Sequence, residues 1–324
     1  MQRLRIEVNP DANDPEHWGH SFANLAELLV PCLDAVGARS VVEVGAYAGD
    51  LTRLLVDWAA TADAHVVAID PLPQPGLVQL EREHDDLTLV RETSLEALGR
   101  IELPDAVVID GDHNYYTVSE ELRLIGDRAA GDELPLLLFH DVGWPHARRD
   151  AYYVPELIPE GERQPLHEGG GLFPGVRGTV PGALPYKWIA AEEGGERNGV
   201  LTAIEDFVAQ RQGLRLVIVN AFFGFGALWP TAAPWSDALA AILDPWDRNP
   251  LVERLEENRV FQLASRHVNR AELLNLREAN ARRDALLERL LDSKSFALAC
   301  TLSRVWRRGE PSFPQDELRR ALSD

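Results

Sequence analysis

The chain has 324 residues, with 32 basic against 52 acidic side chains and a formal net charge of −20, enough length for one large domain plus an appendage and too acidic for a phosphate-binding nucleic-acid protein. Cys32 and Cys300 are its only cysteines, so a disulfide framework is not expected. Neither an apolar signal core at Met1–Glu7 nor an apolar run of membrane-spanning length is present, so no transmembrane segment and a cytoplasmic setting are expected.

Residues 1–20 are polar and carry Pro10 and Pro15, which reads as an N-terminal arm followed by a loop. Ser21 is placed to cap a helix with apolar positions Leu25, Leu28, Leu29 and Leu33, and Gly37 is placed to end it. The stretch Val41-Val42-Glu43-Val44-Gly45-Ala46-Tyr47-Ala48-Gly49-Asp50 then predicts a buried strand turning sharply into a helix over Leu51–Ala60. Free amides and a positive dipole end would face whatever lies over that turn. The pattern is E-x-G-x-Y-x-G and departs from the G-x-G-x-x-G of dinucleotide sites. An acid ahead of the first glycine suits a cationic amino group, while a tight turn with no ligand explains the glycines equally well.

His65–Asp70 reads as a second strand ending in an acid, and a carboxylate there accepts hydrogen bonds from ribose hydroxyls in nucleoside-binding α/β folds. Leu87–Val90 reads as a third strand, followed by a helix that Thr93 and Ser94 can cap. Ala106–Ile109 runs into Asp110-Gly111-Asp112-His113, and Leu136–Phe139 runs into His140-Asp141. Adjacent parallel strands would bring Asp110 and Asp141 within a few ångströms. Two such carboxylates repel unless protonated or bridged by a cation, and a divalent metal is the simplest resolution.

From Trp144 to Asn198 the periodicity lapses into glycines and prolines interleaved with Tyr152, Tyr153, Phe173, Tyr186 and Trp188. Such an insertion reads as a lid or binding loop with rings for stacking on a sugar or phenol, with disorder the competing account. A helix over Val200–Val208 leads to two strands, Leu214–Val219 and Phe223–Trp229, expected to close the sheet as an antiparallel hairpin. Residues 251–291 are charged and Leu-rich, which predicts one or two long amphipathic helices for packing on the domain or a second subunit. The tail sets Trp306 beside Arg304, Arg307 and Arg308, a weak basic patch better explained as a solvated terminal helix.

With these features in this order, the chain from about Val41 to Trp229 resembles the class I S-adenosylmethionine (SAM) methyltransferases, and within them the metal-dependent O-methyltransferases of catechol and macrocin-sugar type. The resemblance implies an α/β fold: a Rossmann-like, seven-stranded, mostly parallel sheet with a terminal antiparallel hairpin, plus a C-terminal helical extension. Composition and periodicity divide the chain into an arm (1–20), an expected methyltransferase domain (21–235) with a lid-like insertion (144–198), and a helical extension (236–324). The resemblance also implies SAM bound by Glu43, Gly45, Ala46, Tyr47, Gly49, Asp70, Ser94 and Asp110, magnesium or manganese held by Asp110, His140 and Asp141, and His113 as general base. The expected partner is a small-molecule or glycan hydroxyl acceptor, with self-association through the C-terminal helices. One departure is that the first of the fifth-strand pair is an acid in those relatives and His140 here. Imidazole suits manganese, iron or zinc better than magnesium. Either the metal differs, or Asp112 supplies an oxygen in its place, or His113 or His140 acts as base without metal. A nicotinamide oxidoreductase and a non-catalytic scaffold are the competing functions. The first lacks its glycine fingerprint, and neither uses the Asp110/Asp141 pair.

Overall fold

Ser21 accepts a hydrogen bond from the Ala23 amide and starts a 3-10 turn (Phe22–Leu25) that continues as α1 (Ala26–Val36), which Gly37 ends in the left-handed region. The computed structural model describes residues 20–129 and 133–306, so residues 1–19 of the expected arm and Arg307 and Arg308 of the tail lie outside the described residues. The chain then alternates strand and helix: β1 (Ser40–Val44), α2 (Asp50–Ala62), β2 (His65–Ile69), α3 (Pro75–Glu83), β3 (Leu87–Val90), α4 (Ser94–Ala97), β4 (Ala106–Ile109), α5 (Tyr115–Arg128) and β5 (Leu136–His140). Within the insertion are β6 (Leu166–Glu168), β7 (Gly171–Leu172), β8 (Leu184–Pro185) and β9 (Trp188–Ala190). Beyond it follow α6 (Val200–Ala209), β10 (Leu214–Val219), β11 (Phe225–Pro230), α7 (Ser236–Leu243), α8 (Pro250–Leu291) and α9 (Lys294–Trp306).

Seven strands form one sheet in the order β10-β11-β5-β4-β1-β2-β3. Strands β1 to β5 are mutually parallel, and β11 runs antiparallel to both β5 and β10. This is the seven-stranded, hairpin-closed sheet that the resemblance implies. Side chains alternate between its faces, as the period of two requires: Val41, Val66 and Val108 pack on one side with α1, α2 and α7, and Val42, Val107 and Ile109 on the other with α5 and α6. The order reverses between β1 and β4, and at such a switch point the two following loops part and leave a crevice at the strands' carboxyl ends. The glycine loop and the Asp110 turn both open there.

The compact unit built on this sheet continues to Ser265, past the boundary at 235 that composition suggests. The physical reason is burial: Leu239 and Leu243 of α7 are fully enclosed in the core, and Val260, Leu263 and Ala264 on the first half of α8 are buried as well. The second unit, Arg266–Asp324, contains the rest of α8 and α9. In it Leu273, Leu274, Leu276, Leu290, Leu298 and Leu302 are exposed.

Candidate active site

The glycine loop is held by the protein's own backbone. Gly45 lies at φ +88°, and a Cβ there would stand 2.2 Å from the Asp110 carbonyl oxygen, so this glycine is needed for the close approach of the β4 tip and not to clear space for a ligand. Its amide donates to the Ile69 carbonyl (2.9 Å). Asp70 accepts from the Tyr47 amide through one oxygen (2.7 Å) and from the Leu72 amide through the other (2.7 Å), tying the loop to the β2 tip. Each oxygen keeps a lone pair for a hydroxyl donor. Ala46 is buried, whereas Tyr47, at φ +41°, is exposed. Gly49 starts α2 with no side-chain cap, which leaves first-turn amides for an anionic group. Glu43 lies behind the loop, fully buried against the Thr52 hydroxyl (2.6 Å), and burial pushes its carboxyl up to about 8.

On the far side of the crevice Asp110, His140 and Asp141 converge, with one ligand-type atom from each lying within 4.8 Å of the others. The His140 Nε2–H donates to the Phe222 carbonyl (2.8 Å), which fixes the tautomer and turns Nδ1 toward Asp110 Oδ1 (3.0 Å) and Asp141 Oδ2 (3.2 Å). A neutral imidazole would aim its Nδ1 lone pair at two carboxylates, a repulsive arrangement that only a proton or a cation relieves. Burial alone would lower the His140 pKa, yet Asp141 and Asp110 hold it well above the usual histidine range. Asp141, itself opposed by burial, is held well below the carboxylate range by His113 and His140. Its φ of +58° is unusual for a non-glycine residue and marks backbone held in place by its surroundings.

His113 Nε2 lies 3.0 Å from Asp141 Oδ2. Burial works against its charge, and Asp141, together with Asp110 and Asp112, outweighs burial and raises its pKa. Asp112 is not aimed at the cluster: its carboxylate accepts from Asn114 Nδ2 (2.6 Å), the Thr117 hydroxyl (3.2 Å) and the Tyr153 amide (3.4 Å). The alternative in which Asp112 replaces His140 as an oxygen donor therefore finds no support in the geometry. Ser94 is the first residue of α4, and the cap is Thr93, whose hydroxyl forms a reciprocal capping box with Glu96.

Several residues around the cluster carry no periodic sequence signal. His146 is buried, stacks on His113 with ring centroids 4.7 Å apart, and meets Tyr186 edge-on at 5.0 Å. Burial and the neighbouring His113 push His146 down to about 3, so this ring stays neutral. Phe22 stacks on His140 (5.0 Å) and His20 on Phe223 (4.8 Å). The loop that presents the Phe222 carbonyl has positive φ at Phe222, Phe223 and Gly224. It closes on the Asp141 loop through the Gly143 amide, which donates to the Phe223 carbonyl (2.6 Å).

The insertion is ordered by buried polar side chains, contrary to the account in which it is disordered. Two small antiparallel pairs, β6 with β9 and β7 with β8, give it a frame. Arg149 is fully buried and donates to the Ala190 (3.2 Å) and Arg177 carbonyls. Asp150 accepts from the amides of Tyr115 (2.8 Å) and Gly199 (2.6 Å) and from the Tyr152 hydroxyl (2.7 Å), joining both ends of the insertion to the start of α5.

Residues 42–142 match the family model described as a methyltransferase domain. Among solved structures the chain is similar to the SAH-bound methyltransferase PaMTH1 of Podospora anserina, at 13% identity and a TM-score of 0.41 over 68% of this chain and 83% of that one. It is also similar to a methyltransferase from Geobacter sulfurreducens, at 14% identity and a TM-score of 0.37 over 71% of this chain and 93% of that one. No curated protein matches. Likenesses this distant assign no substrate.

Proposed function

We propose that the protein transfers the SAM methyl group to a hydroxyl of a sugar, a glycan or a glycosylated natural product, with a divalent cation held by Asp110, His140 and Asp141; the match of residues 42–142 to a methyltransferase-domain model, on a seven-stranded sheet, supports this reading. The observation that carries this reading is the His140 Nδ1 set between two carboxylates while Nε2 is committed to the Phe222 carbonyl. A ring anchored through one nitrogen and facing acids with the other is the arrangement of a metal-binding histidine. Imidazole with two carboxylates suits manganese, iron or zinc as well as magnesium.

The cation, when bound, supplies positive charge that offsets the two acids and makes a nearby acceptor hydroxyl more acidic. His113, oriented and made more basic by Asp141, takes the hydroxyl proton. In the cofactor half, Asp70 would hold ribose hydroxyls, the first-turn amides of α2 would face the carboxylate of the methionyl portion, and the buried carboxyl of Glu43 would offer a hydrogen-bonding oxygen behind its amino group. Gly45, Ala46, Tyr47 and Gly49 would shape the wall between them, and Ser94 would border the adenine. The buried ring of His146 and the half-buried ring of Tyr186 would limit water on the His113 side. Cys32 and Cys300 are both free thiols, which supports a cytosolic setting. The exposed leucines of residues 266–306 are the surface assigned to self-association.

The reading is tested with methyl-labelled SAM and a panel of sugar, glycoside and phenol acceptors, before and after EDTA treatment. Label transferred to a hydroxyl, lost on chelation and restored by Mn²⁺ or Mg²⁺, is the expected result. Transfer indifferent to chelation removes the cation, and heat from NAD with none from SAM removes the methyltransferase.

A further inference from the structure

The candidate cation site depends on one carbonyl, that of Phe222, which accepts the His140 Nε2–H (2.8 Å) and so turns Nδ1 toward Asp110 and Asp141. The carbonyl belongs to a tight turn, residues 221–224, closed by the Gly224 amide donating to the Ala221 carbonyl (2.9 Å). Its two central residues have φ of +49° at Phe222 and +70° at Phe223. Positive φ at both central positions is the signature of the type I′ turn, which favours Asn-Gly and is strained for two bulky side chains. Such backbone persists only where its surroundings impose it.

The first half of α8 supplies that restraint. The Phe222 carbonyl and the Phe223 amide are the two ends of one planar trans peptide group and point in opposite directions. While the carbonyl faces His140, the amide donates to Glu256 Oε1 on α8 (2.8 Å). Arg259, one turn further along α8, clasps the same carboxylate through Nη2 to Oε1 (2.7 Å) and Nε to Oε2 (2.7 Å), and both side chains are largely buried. The Arg259 guanidinium also lies 4.4 Å over the Phe223 ring, which is buried and stacks on His20. A flip of the 222–223 peptide would break two hydrogen bonds at once, leaving the amide and the imidazole N–H without these partners.

We propose that Glu256 is a positioning residue for His140, acting through the 222–223 peptide, with Arg259 fixing its carboxylate. Carboxylate, peptide group and imidazole form one chain of hydrogen bonds, in which the negative end strengthens the Phe222 carbonyl as an acceptor. His140 thereby keeps its proton on Nε2 and offers Nδ1 to a cation shared with the two acids. The inference rests on the reading of His140 as a cation ligand and adds the element that enforces it. The first half of α8, which composition sets apart as an extension, becomes part of the support of the site.

The test follows the His140 Nε2 proton by NMR in the full chain labelled with [15N]histidine, its signal identified by its absence from His140→Gln. The same samples are titrated with Mn²⁺, read by electron paramagnetic resonance, and with SAH, read by calorimetry. Glu256→Met fills the space without an acceptor oxygen, whereas Glu256→Gln keeps the oxygen without the charge. In Glu256→Met the proton should exchange with water about tenfold faster and Mn²⁺ should bind about tenfold more weakly. Glu256→Gln should stay within about threefold of the wild type in both respects, and SAH affinity within about twofold in every protein. A merely structural ion pair predicts a different ranking, because Glu256→Gln also loses the pair with Arg259 and would do as much damage as Glu256→Met. That ranking, or wild-type values in Glu256→Met, overturns the proposal. Should Glu256→Met not fold, the wild type still decides: its Phe223 amide must be protected from exchange, and a freely exchanging Phe223 amide overturns the proposal. Wild-type protein that binds no Mn²⁺ removes the cation reading, while the two protons still test the positioning, so the two failures are distinguishable.

Discussion

At the scale of single residues, four side chains, those of Asp110, His113, His140 and Asp141, and one backbone contact carry the proposed chemistry. His113 has a carboxylate partner at 3.0 Å that raises its pKa, and general-base catalysis of this kind contributes about 10²–10⁴ in rate. His113→Gln is therefore expected to lower kcat by roughly that factor while leaving the calorimetric affinity for SAH unchanged. An undiminished kcat would clear His113 of the role. Gly45 gives a stability prediction. Gly45→Ala sets a methyl group 2.2 Å from the Asp110 carbonyl oxygen at a backbone angle of φ +88°. A loss of about 2–4 kcal/mol in urea unfolding is expected from overpacking combined with left-handed strain, along with weaker metal binding, because the atom it displaces belongs to a proposed ligand residue.

At the scale of elements, the site is a meeting of four loops, and they differ in how far the sequence announces them. The strands ending at Asp70, Asp110 and His140 were legible because apolar runs broken by an acid or histidine leave few other readings, and the closing hairpin was legible from its alternation. The pairing of Asp110 with Asp141 followed from that topology alone. The helix Pro75–Glu83 was not expected, nor was the positioning of His140 by the Phe222 carbonyl. That positioning depends on the close approach of Gly143 and Gly224, where a Cβ on Gly224 would lie 2.3 Å from the Gly143 amide, and such an approach has no periodic signal. His146 was overlooked for the same reason, lying in a stretch without period, although a histidine five residues past a proposed ligand was a signal available to find it. Likewise, the order of the insertion comes from Arg149 and Asp150, two charged residues that sequence reasoning assigns to the surface. Asp150→Ala would leave two buried amides unpaired, at about 1–3 kcal/mol each. Limited proteolysis should then cut within residues 150–199 at least tenfold faster than in the wild type, and equal rates would show that another contact holds the insertion.

At the scale of the whole molecule, the acid excess lies within residues 1–265, since basic side chains outnumber acidic ones beyond Ser265. Two of the acids are buried where they cannot easily ionise. Glu43 and Glu121 are each pushed by burial up to about 8, and neither carboxyl oxygen of Glu121 has a hydrogen-bond partner of good geometry although the Ser94 hydroxyl stands near it. A carboxyl whose folded pKa is raised keeps its proton where the unfolded chain has lost it. Between about 4.5 and about 8 the folded state therefore binds more protons, and stability falls as pH rises through that window. Urea unfolding at pH 5.5 and pH 8.5 should show this fall, and Glu121→Gln, which keeps the shape without the charge, should reduce the difference. A Glu121→Gln protein with the wild-type pH dependence would assign the slope elsewhere.

The proposed mechanism depends on what lies between Asp110, His140 and Asp141. Anomalous diffraction from a crystal soaked with Mn²⁺ and SAH addresses this directly. The expected map has one strong peak about 2.0–2.3 Å from an oxygen of Asp110, an oxygen of Asp141 and Nδ1 of His140. A crystal with SAH bound and no peak there, with His140 still clasped between the two acids, would mean that a proton and not a metal holds them together, and the cation would drop out of the mechanism.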